Sequence, residues 1–182
     1  MIVVKVGGSL FDHPKLGLGL RAYLDSLEAD VLLVPGGGDA ADAVRTWDAT
    51  HHFGEVVSHW LALRALDVTS ALLRHLLLRE PPTASAVRVL DCLAFSLEDD
   101  ERPGALPHSW GVTTDSIAAR AAVVYEAERL VLLKSVNVDV GTAWEVAAER
   151  GWVDPHFPRV VADAAFPVEV VNFRRVLDSL GG

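Results

Sequence analysis

The residues predict an α/β fold, with helices on both faces of a largely parallel sheet, and three observations carry that expectation. Short apolar, β-branched runs alternate with stretches of helical period along the chain. Two of those runs end in lysine, Lys5 and Lys134, in a chain with three lysines and thirteen arginines. Glycine clusters, Gly7-Gly8 and Gly36-Gly37-Gly38, directly follow two of the runs. Lysine is a compact point charge on a flexible stem, whereas arginine is a planar fork. Lysines at the tips of buried strands therefore point to a site at one edge of a sheet, suited to a transferring phosphoryl group.

Ile2-Val3-Val4-Lys5-Val6 reads as a buried strand, followed by a glycine loop and an amphipathic helix around 14–28. Val31-Leu32-Leu33-Val34 is a second strand, closed by the loop Pro35-Gly36-Gly37-Gly38. Asp39 precedes a helix through about Thr50, since an acidic residue suits the dipole in a first turn. Residues 55–79 read as one long helix. Its Arg64, Asp67, Ser70 and Arg74 recur at three- or four-residue steps as a narrow polar stripe. The remaining Leu, Ala, Val and Trp predict burial on more than one side, either wholly in the core or partly at a dimer interface. Residues 86–90 suggest another strand, and Glu98–Gly104 an acidic, solvated loop. Thr114 or Asp115 opens a helix to about Ala127. Residues 130–134 are then a strand, 143–150 a helix, 168–171 a strand and 173–180 a closing helix. With no repeat, low-complexity tract or linker visible, residues 1–182 are expected to form one domain.

Composition narrows the function classes. At 182 residues the chain is long enough to bury a substantial core. A hydrophobic content of 51% and a mean hydropathy of +0.28 suggest an extra buried surface, as in a homodimer or higher homo-oligomer. The net charge of −9 argues against general nucleic-acid binding, where a basic patch is expected. A small anionic substrate remains compatible, because a phosphate pocket needs only a few local donors. The single Cys92 permits no internal disulfide and no multi-cysteine metal site. No apolar stretch reaches the roughly 18 residues needed to span a bilayer, and the first strand lacks a signal peptide's charged start. A cytoplasmic protein without a membrane partner is expected.

Three segments carry the candidate chemistry. The first strand aims Lys5 at the sheet edge, where Gly7, Gly8 and Ser9 can form a nest of N–H groups around a phosphate. Three successive glycines, Gly36 to Gly38, cost chain entropy, a cost more readily understood if the backbone must hug a ligand. In Gly111-Val112-Thr113-Thr114-Asp115-Ser116-Ile117-Ala118, Asp115 stands at or near a helix start, either as an ordinary cap or as a carboxylate that orients the lysines. Neither a G-x-x-x-x-G-K-[ST] loop nor an H-E-x-x-H zinc motif occurs, and no resident metal site is expected. Gly17-Leu18-Gly19 lies inside a helical pattern and carries no dinucleotide fingerprint. His51, His52 and His59 lack convincing metal spacing, so surface or packing roles are their default.

Together, Lys-x-Gly-Gly-Ser at the start, the PGGG loop, the T-x-D-x-x-A segment and the strand ending in Lys134 resemble the amino acid kinase superfamily. That resemblance spans the chain and implies a three-layer αβα sandwich, with the acceptor over residues 1–110 or so and ATP over about 111–182. It implies that Lys5 contacts the transferring phosphoryl group, that Gly8 and Gly37 donate N–H bonds, and that Asp115 organises the lysines. Lys134 matches members that phosphorylate a phosphate. Ser135, Asp139 and Asp154 fall where nucleotide-binding loops are expected, with ATP and Mg²⁺ as the implied co-substrate and cofactor. Two features depart from the pattern: the chain is shorter than typical members, and no lysine follows Lys134, leaving Arg159, Arg174 or Arg175 as possible replacements. Phe53 to Leu66 and Leu106 to Trp110 resemble, more narrowly, the small kinases of methanofuran biosynthesis, which act on an aminomethyl-furanmethyl phosphate. On that likeness His59, Trp60, His108 and Trp110 line the acceptor pocket, with an acidic group pairing the substrate amine. Other acceptors on the same motifs are UMP, isopentenyl phosphate or an amino acid carboxylate, and a ligand-binding protein without turnover is the non-enzymatic alternative.

Overall fold

The structure is a computed structural model and describes residues 1–79, 81 and 86–180. Its centre is a five-stranded sheet of β1 (Ile2–Val6), β2 (Val31–Pro35), β3 (Val87–Val89), β4 (Arg129–Lys134) and β5 (Val168–Asn172). The order is β3-β2-β1-β4-β5 and every pairing is parallel. Strands buried on both faces read as unbroken apolar runs rather than alternating ones, which is why β1, β2 and β4 were legible.

The helices are α1 (Leu16–Asp25), α2 (Gly38–His51), α3 (Glu55–Arg79), α4 (Cys92–Asp99), α5 (Thr114–Val124), α6 (Trp144–Glu149), α7 (Phe157–Val161) and α8 (Phe173–Ser179). They cover both faces, as an αβα sandwich requires. On one face Val3, Leu32, Val34, Leu130 and Leu132 pack under α3, α4, α5 and α7, with Leu63, Leu66, Phe95, Ile117 and Phe157 in the contact. On the other, Val4, Leu33, Val131 and Leu133 pack under α1 and α8 through Leu20, Leu24, Phe173 and Leu177. Leu73 of α3 joins this second cluster, so that helix serves both.

Two consequences place the site. The connection from β1 leads to β2 on one side, whereas that from β4 leads to β5 on the other. Adjacent strands whose connections part in this way leave a crevice beyond their C-terminal ends. Side chains also alternate along a strand. Lys5 follows Val3, and Lys134 follows Leu132, so both lysines point to the α5 face at the mouth of that crevice.

The structure differs from the sequence expectation at several points. The stretch Glu98–Gly104, expected as a solvated loop, begins inside α4, which Asp91 caps by accepting from Ala94 N at 2.9 Å. Asp99 is buried there and Arg120 clamps it through Nε at 2.7 Å and Nη2 at 2.8 Å. An acidic run reads as solvated because its buried partner lies 21 residues away. Helix α7 was hidden by Pro155 and Pro158, although proline is well tolerated in a first turn. On α3, Arg64, Asp67 and Arg74 are exposed but Ser70 is buried, while Val57, Val68 and Leu72 lie open on one side. Among the described residues no helix is long and apolar enough to cross a membrane.

Candidate active site

The floor of the crevice is built from interlocked backbone. Gly7 N donates to Leu133 O at 2.8 Å, tying the loop after β1 to β4. A side chain on Gly8 would collide with Gly38 N, and one on Gly36 with Gly8 N. Gly38 itself adopts φ +51°, a left-handed conformation that favours glycine. The glycines therefore divide into two groups. Gly8, Gly37 and Gly38 line the pocket, whereas Gly7 ties the first loop to β4 and Gly36 packs against Gly8. The N–H of Gly7, expected in a phosphate nest, is committed to the sheet.

Above this floor stand the two lysines. Lys134 Nζ donates to Asp115 Oδ2 at 2.6 Å. Lys5 Nζ lies 2.8 Å from Oδ1, an ion pair whose approach angle is not that of a hydrogen bond. Asp115 is 4% exposed, Lys5 6% and Lys134 9%, so all three charges are withdrawn from solvent. Burial alone would raise the Asp115 carboxyl pKa, but the Lys5 and Lys134 ammoniums outweigh it and hold it below the ordinary carboxylate value. Lys134 is pushed down to about 8, first by burial and then by the neighbouring Lys5. Two cations on one carboxylate leave a net positive charge in a low-dielectric place, an arrangement that attracts phosphate.

Asp115 sits in the first turn of α5, and that turn is anchored by Asp154. Asp154 Oδ2 accepts from Thr113 N, Thr113 Oγ1 and Ser116 N, each at 2.9 Å. Its Oδ1 accepts from Ser116 Oγ at 2.5 Å, Phe157 N at 2.9 Å and His156 N at 3.1 Å. The sequence placed Asp154 at a nucleotide; the structure turns it inward, where six donors occupy it. Asp139 is exposed in the loop after β4. Ser9 and Ser135 meet through their hydroxyls at 2.8 Å and link the loops that follow β1 and β4. Arg174 donates to Ser9 O and, at 2.6 Å, to Asp12 Oδ1, so among the late arginines it stands beside the phosphate loop.

A pocket of about 260 Å³ opens from Lys5, Gly8, Ser9 and Gly38. Its walls include Ala41, Asp42 and Arg45 of α2, His59, Leu63 and Leu66 of α3, and Trp110, Val112 and Thr113 ahead of α5. His59 is buried and reaches the pocket, whereas His51 and His52 are exposed. Burial, then the nearby His108, lowers the His59 pKa and favours its neutral form. His108 stacks on His59 at 5.2 Å between centroids and meets Trp60 at 4.7 Å, and its Nε2 lies 2.7 Å from Asp100 Oδ1. Trp60 and His108 thus back His59 rather than line the pocket. Trp110 is in the wall, with Nε1 donating to Asp48 Oδ2 at 2.8 Å and the Arg45 guanidinium 5.1 Å from a ring centroid.

Asp42 and Arg45 escaped the sequence reading. A signal was present: Gly38, Ala41, Asp42 and Arg45 recur at helical spacing from the glycine loop, so they share its side of α2. Among the described residues no three His, Cys, Asp or Glu side chains come together as a metal site. Both Asp115 oxygens face an ammonium, so this carboxylate is poorly placed to hold Mg²⁺ itself.

Comparison with known proteins agrees with this architecture. The [5-(aminomethyl)furan-3-yl]methyl phosphate kinase of Methanocaldococcus jannaschii is 25% identical over a gapped alignment 208 positions long, covering 100% of this chain and 94% of that protein. The uridylate kinase of Archaeoglobus fulgidus superposes with a TM-score of 0.61 at 15% identity, over 98% of this chain and 96% of that one. The UMP kinase of Ureaplasma parvum gives 0.62 at 13% identity, over 98% and 94%. These two likenesses establish the fold. Residues 1–138 match the profile of the amino acid kinase family. The chain belongs to the amino acid kinase family and is a phosphotransferase of that family.

Proposed function

We propose that this protein transfers the γ-phosphoryl group of ATP to an acceptor that is itself a phosphate, and that this acceptor is 5-(aminomethyl)-3-furanmethyl phosphate, in the making of a methanofuran-type cofactor. The observation that carries the reading is the pair of lysines, one from each strand flanking the crevice, held on the two oxygens of Asp115. An acceptor phosphate is already an oxyanion, so its attack needs no general base. An acceptor oxygen forms the new bond to the γ-phosphorus in line as the bond to the β-phosphate oxygen breaks, and ADP leaves. Catalysis is then positioning and charge neutralisation. Lys5 faces the transferring group from the pocket floor, Lys134 supports it from β4, and the Gly8 and Gly38 backbone borders the phosphates. Mg²⁺, brought with the nucleotide rather than held by Asp115, would supply further positive charge to the transferring group.

On this reading residues 1–182 act as one domain, with the acceptor in the pocket walled by α2, His59 and Trp110, and with Ser135 and the loop bearing Asp139 on the nucleotide side. The furan acceptor draws support from the full-length relative and from the aromatic wall at Trp110. The protein works in the cytoplasm as a homodimer or larger homo-oligomer, for which the open apolar residues Val57, Val68 and Leu72 of α3 offer a surface. The test is ADP release from Mg-ATP with the furan phosphate, UMP or isopentenyl phosphate as acceptor. Release that depends on the furan phosphate is the expected result. Release with UMP or isopentenyl phosphate instead would reassign the acceptor, and silence with every acceptor from folded protein would overturn the kinase reading.

A further inference from the structure

We propose that Asp42 selects the acceptor: its carboxylate binds the ammonium of an aminomethyl-bearing phosphate whose ring lies against Trp110. This rests on the acceptor reading above and names the residue that would enforce it.

Asp42 is the carboxylate among the described side chains that line the pocket. It stands on the same face of α2 as Gly38, four residues further along, which is about 6 Å of helix rise. A molecule with its phosphate at Lys5 and Gly38 would therefore meet Asp42 across a gap suited to a five-membered ring with one arm on each side. Trp110 lies in the wall of the same pocket, with its indole orientation fixed by the bond to Asp48. The rest of the wall combines aliphatic side chains (Ala62, Leu63, Leu66 and Val112) with Arg45, His59, Thr113 and Thr114, none of them an anion, so an ammonium on the acceptor finds its carboxylate in Asp42.

Asp42 is not free in this state: Arg45 Nη1 holds its Oδ1 at 2.5 Å. Both side chains are substantially exposed, at 65% and 48%, and an exposed pair one turn apart contributes little. In the same conformation the Arg45 guanidinium lies 5.1 Å from the Trp110 ring centroid while it holds Asp42. A ligand ammonium would take Asp42 by displacing the Arg45 guanidinium from it. His59, held towards its neutral form by burial, adds no firm positive charge to oppose that ammonium. Neither UMP nor isopentenyl phosphate carries an ammonium, so neither gains from Asp42.

The test compares 5-(aminomethyl)-3-furanmethyl phosphate with its analogue bearing methyl in place of aminomethyl. Two quantities are read for each: kcat/KM from ADP release, and affinity by calorimetry without nucleotide. Wild type should favour the amine by about 5-fold, the upper scale of an ion pair at an exposed carboxylate. In Asp42→Asn that ratio should fall close to one, and Asp42→Glu should restore part of it. Asp42 is exposed, so both variants should fold. An unchanged ratio in Asp42→Asn, or no preference in wild type, would overturn the assignment while leaving the kinase reading intact. Amine-selective, Asp42-dependent binding without any ADP release would overturn the kinase reading and keep Asp42. Absence of both binding and turnover would overturn both.

Discussion

Lys134 Nζ donates to Asp115 Oδ2 at 2.6 Å, joining the last residue of β4 to the first turn of α5. The link spans 19 residues and is buried at both ends, and Lys5 holds the other oxygen from the neighbouring strand. Asp115→Asn would leave two buried ammoniums around a neutral amide. Breaking a buried charge pair by removing one partner costs about 3–5 kcal/mol. We expect Asp115→Asn to lose about 3 kcal/mol of unfolding free energy in a denaturant titration, together with most activity. A variant within 1 kcal/mol of wild type, on the same scale, would mean that the carboxylate does not organise the pair.

Lys5→Ala separates chemistry from stability. Asp115 would keep Lys134 as a partner, so the fold should suffer less than in Asp115→Asn. The lost charge, however, is the one that faces the pocket. Removing one transition-state donor lowers kcat by about 10²-fold or more. Lys5→Arg should not restore it, because the planar fork cannot occupy the place of a compact ammonium beside Gly8. Near-wild-type kcat in Lys5→Ala would remove Lys5 from the reaction.

The lysine pair also predicts opposite pH trends for activity and stability. Burial and Lys5 bring the Lys134 ammonium down to about 8, against 10.5 for an ordinary lysine. Activity that needs this charge should fall as pH rises through about 8. The unfolded chain keeps the proton up to the ordinary value, so between the two it binds more protons than the folded chain. Stability contributed by this group must therefore rise with pH across that window. The check is a kcat profile beside denaturant midpoints from pH 7.5 to 10, for wild type and Lys134→Met. Parallel trends in the two proteins would show that Lys134 is not the titrating group.

Much of this site could be read from the chain because it follows from short-range rules. Lys5, Lys134 and Asp115 stand at the ends of regular elements, and strand alternation with helix phase is enough to bring them together. The glycines were legible as a cluster but not in their separate tasks, since only the packing of one loop on the other distinguishes Gly36 from Gly37. Asp99 was misplaced for a different reason, and the inward bonding of Asp154 went unseen for the same one. A carboxylate in a polar stretch looks solvated or ligand-bound until its donors are seen, and those donors come from elements 21 and 38 residues away. Asp42 and Arg45 required the helix phase of α2 to be followed outward from its glycine start.

Asp154 gives the clearest contrast between the sequence expectation and the geometry. A nucleotide-binding Asp154, when replaced by Ala, would raise the KM for ATP and leave folding nearly unaffected. The structure instead gives this carboxylate to Thr113, Ser116, His156 and Phe157, and through them to the turn that carries Asp115. Asp154→Ala would strand buried N–H groups of Ser116 and Phe157, each costing about 1–3 kcal/mol when unsatisfied. We expect a loss of at least about 3 kcal/mol in unfolding free energy, and a fall in kcat as Asp115 shifts under its lysines. Asp154→Asn keeps the shape but replaces one acceptor oxygen with a donor, so it should be damaged as well, though less than Asp154→Ala. Folding measurements therefore decide the role: a stable Asp154→Ala with a raised KM for ATP would return this residue to the nucleotide, and an unstable one with KM little changed would fix it as the anchor of α5.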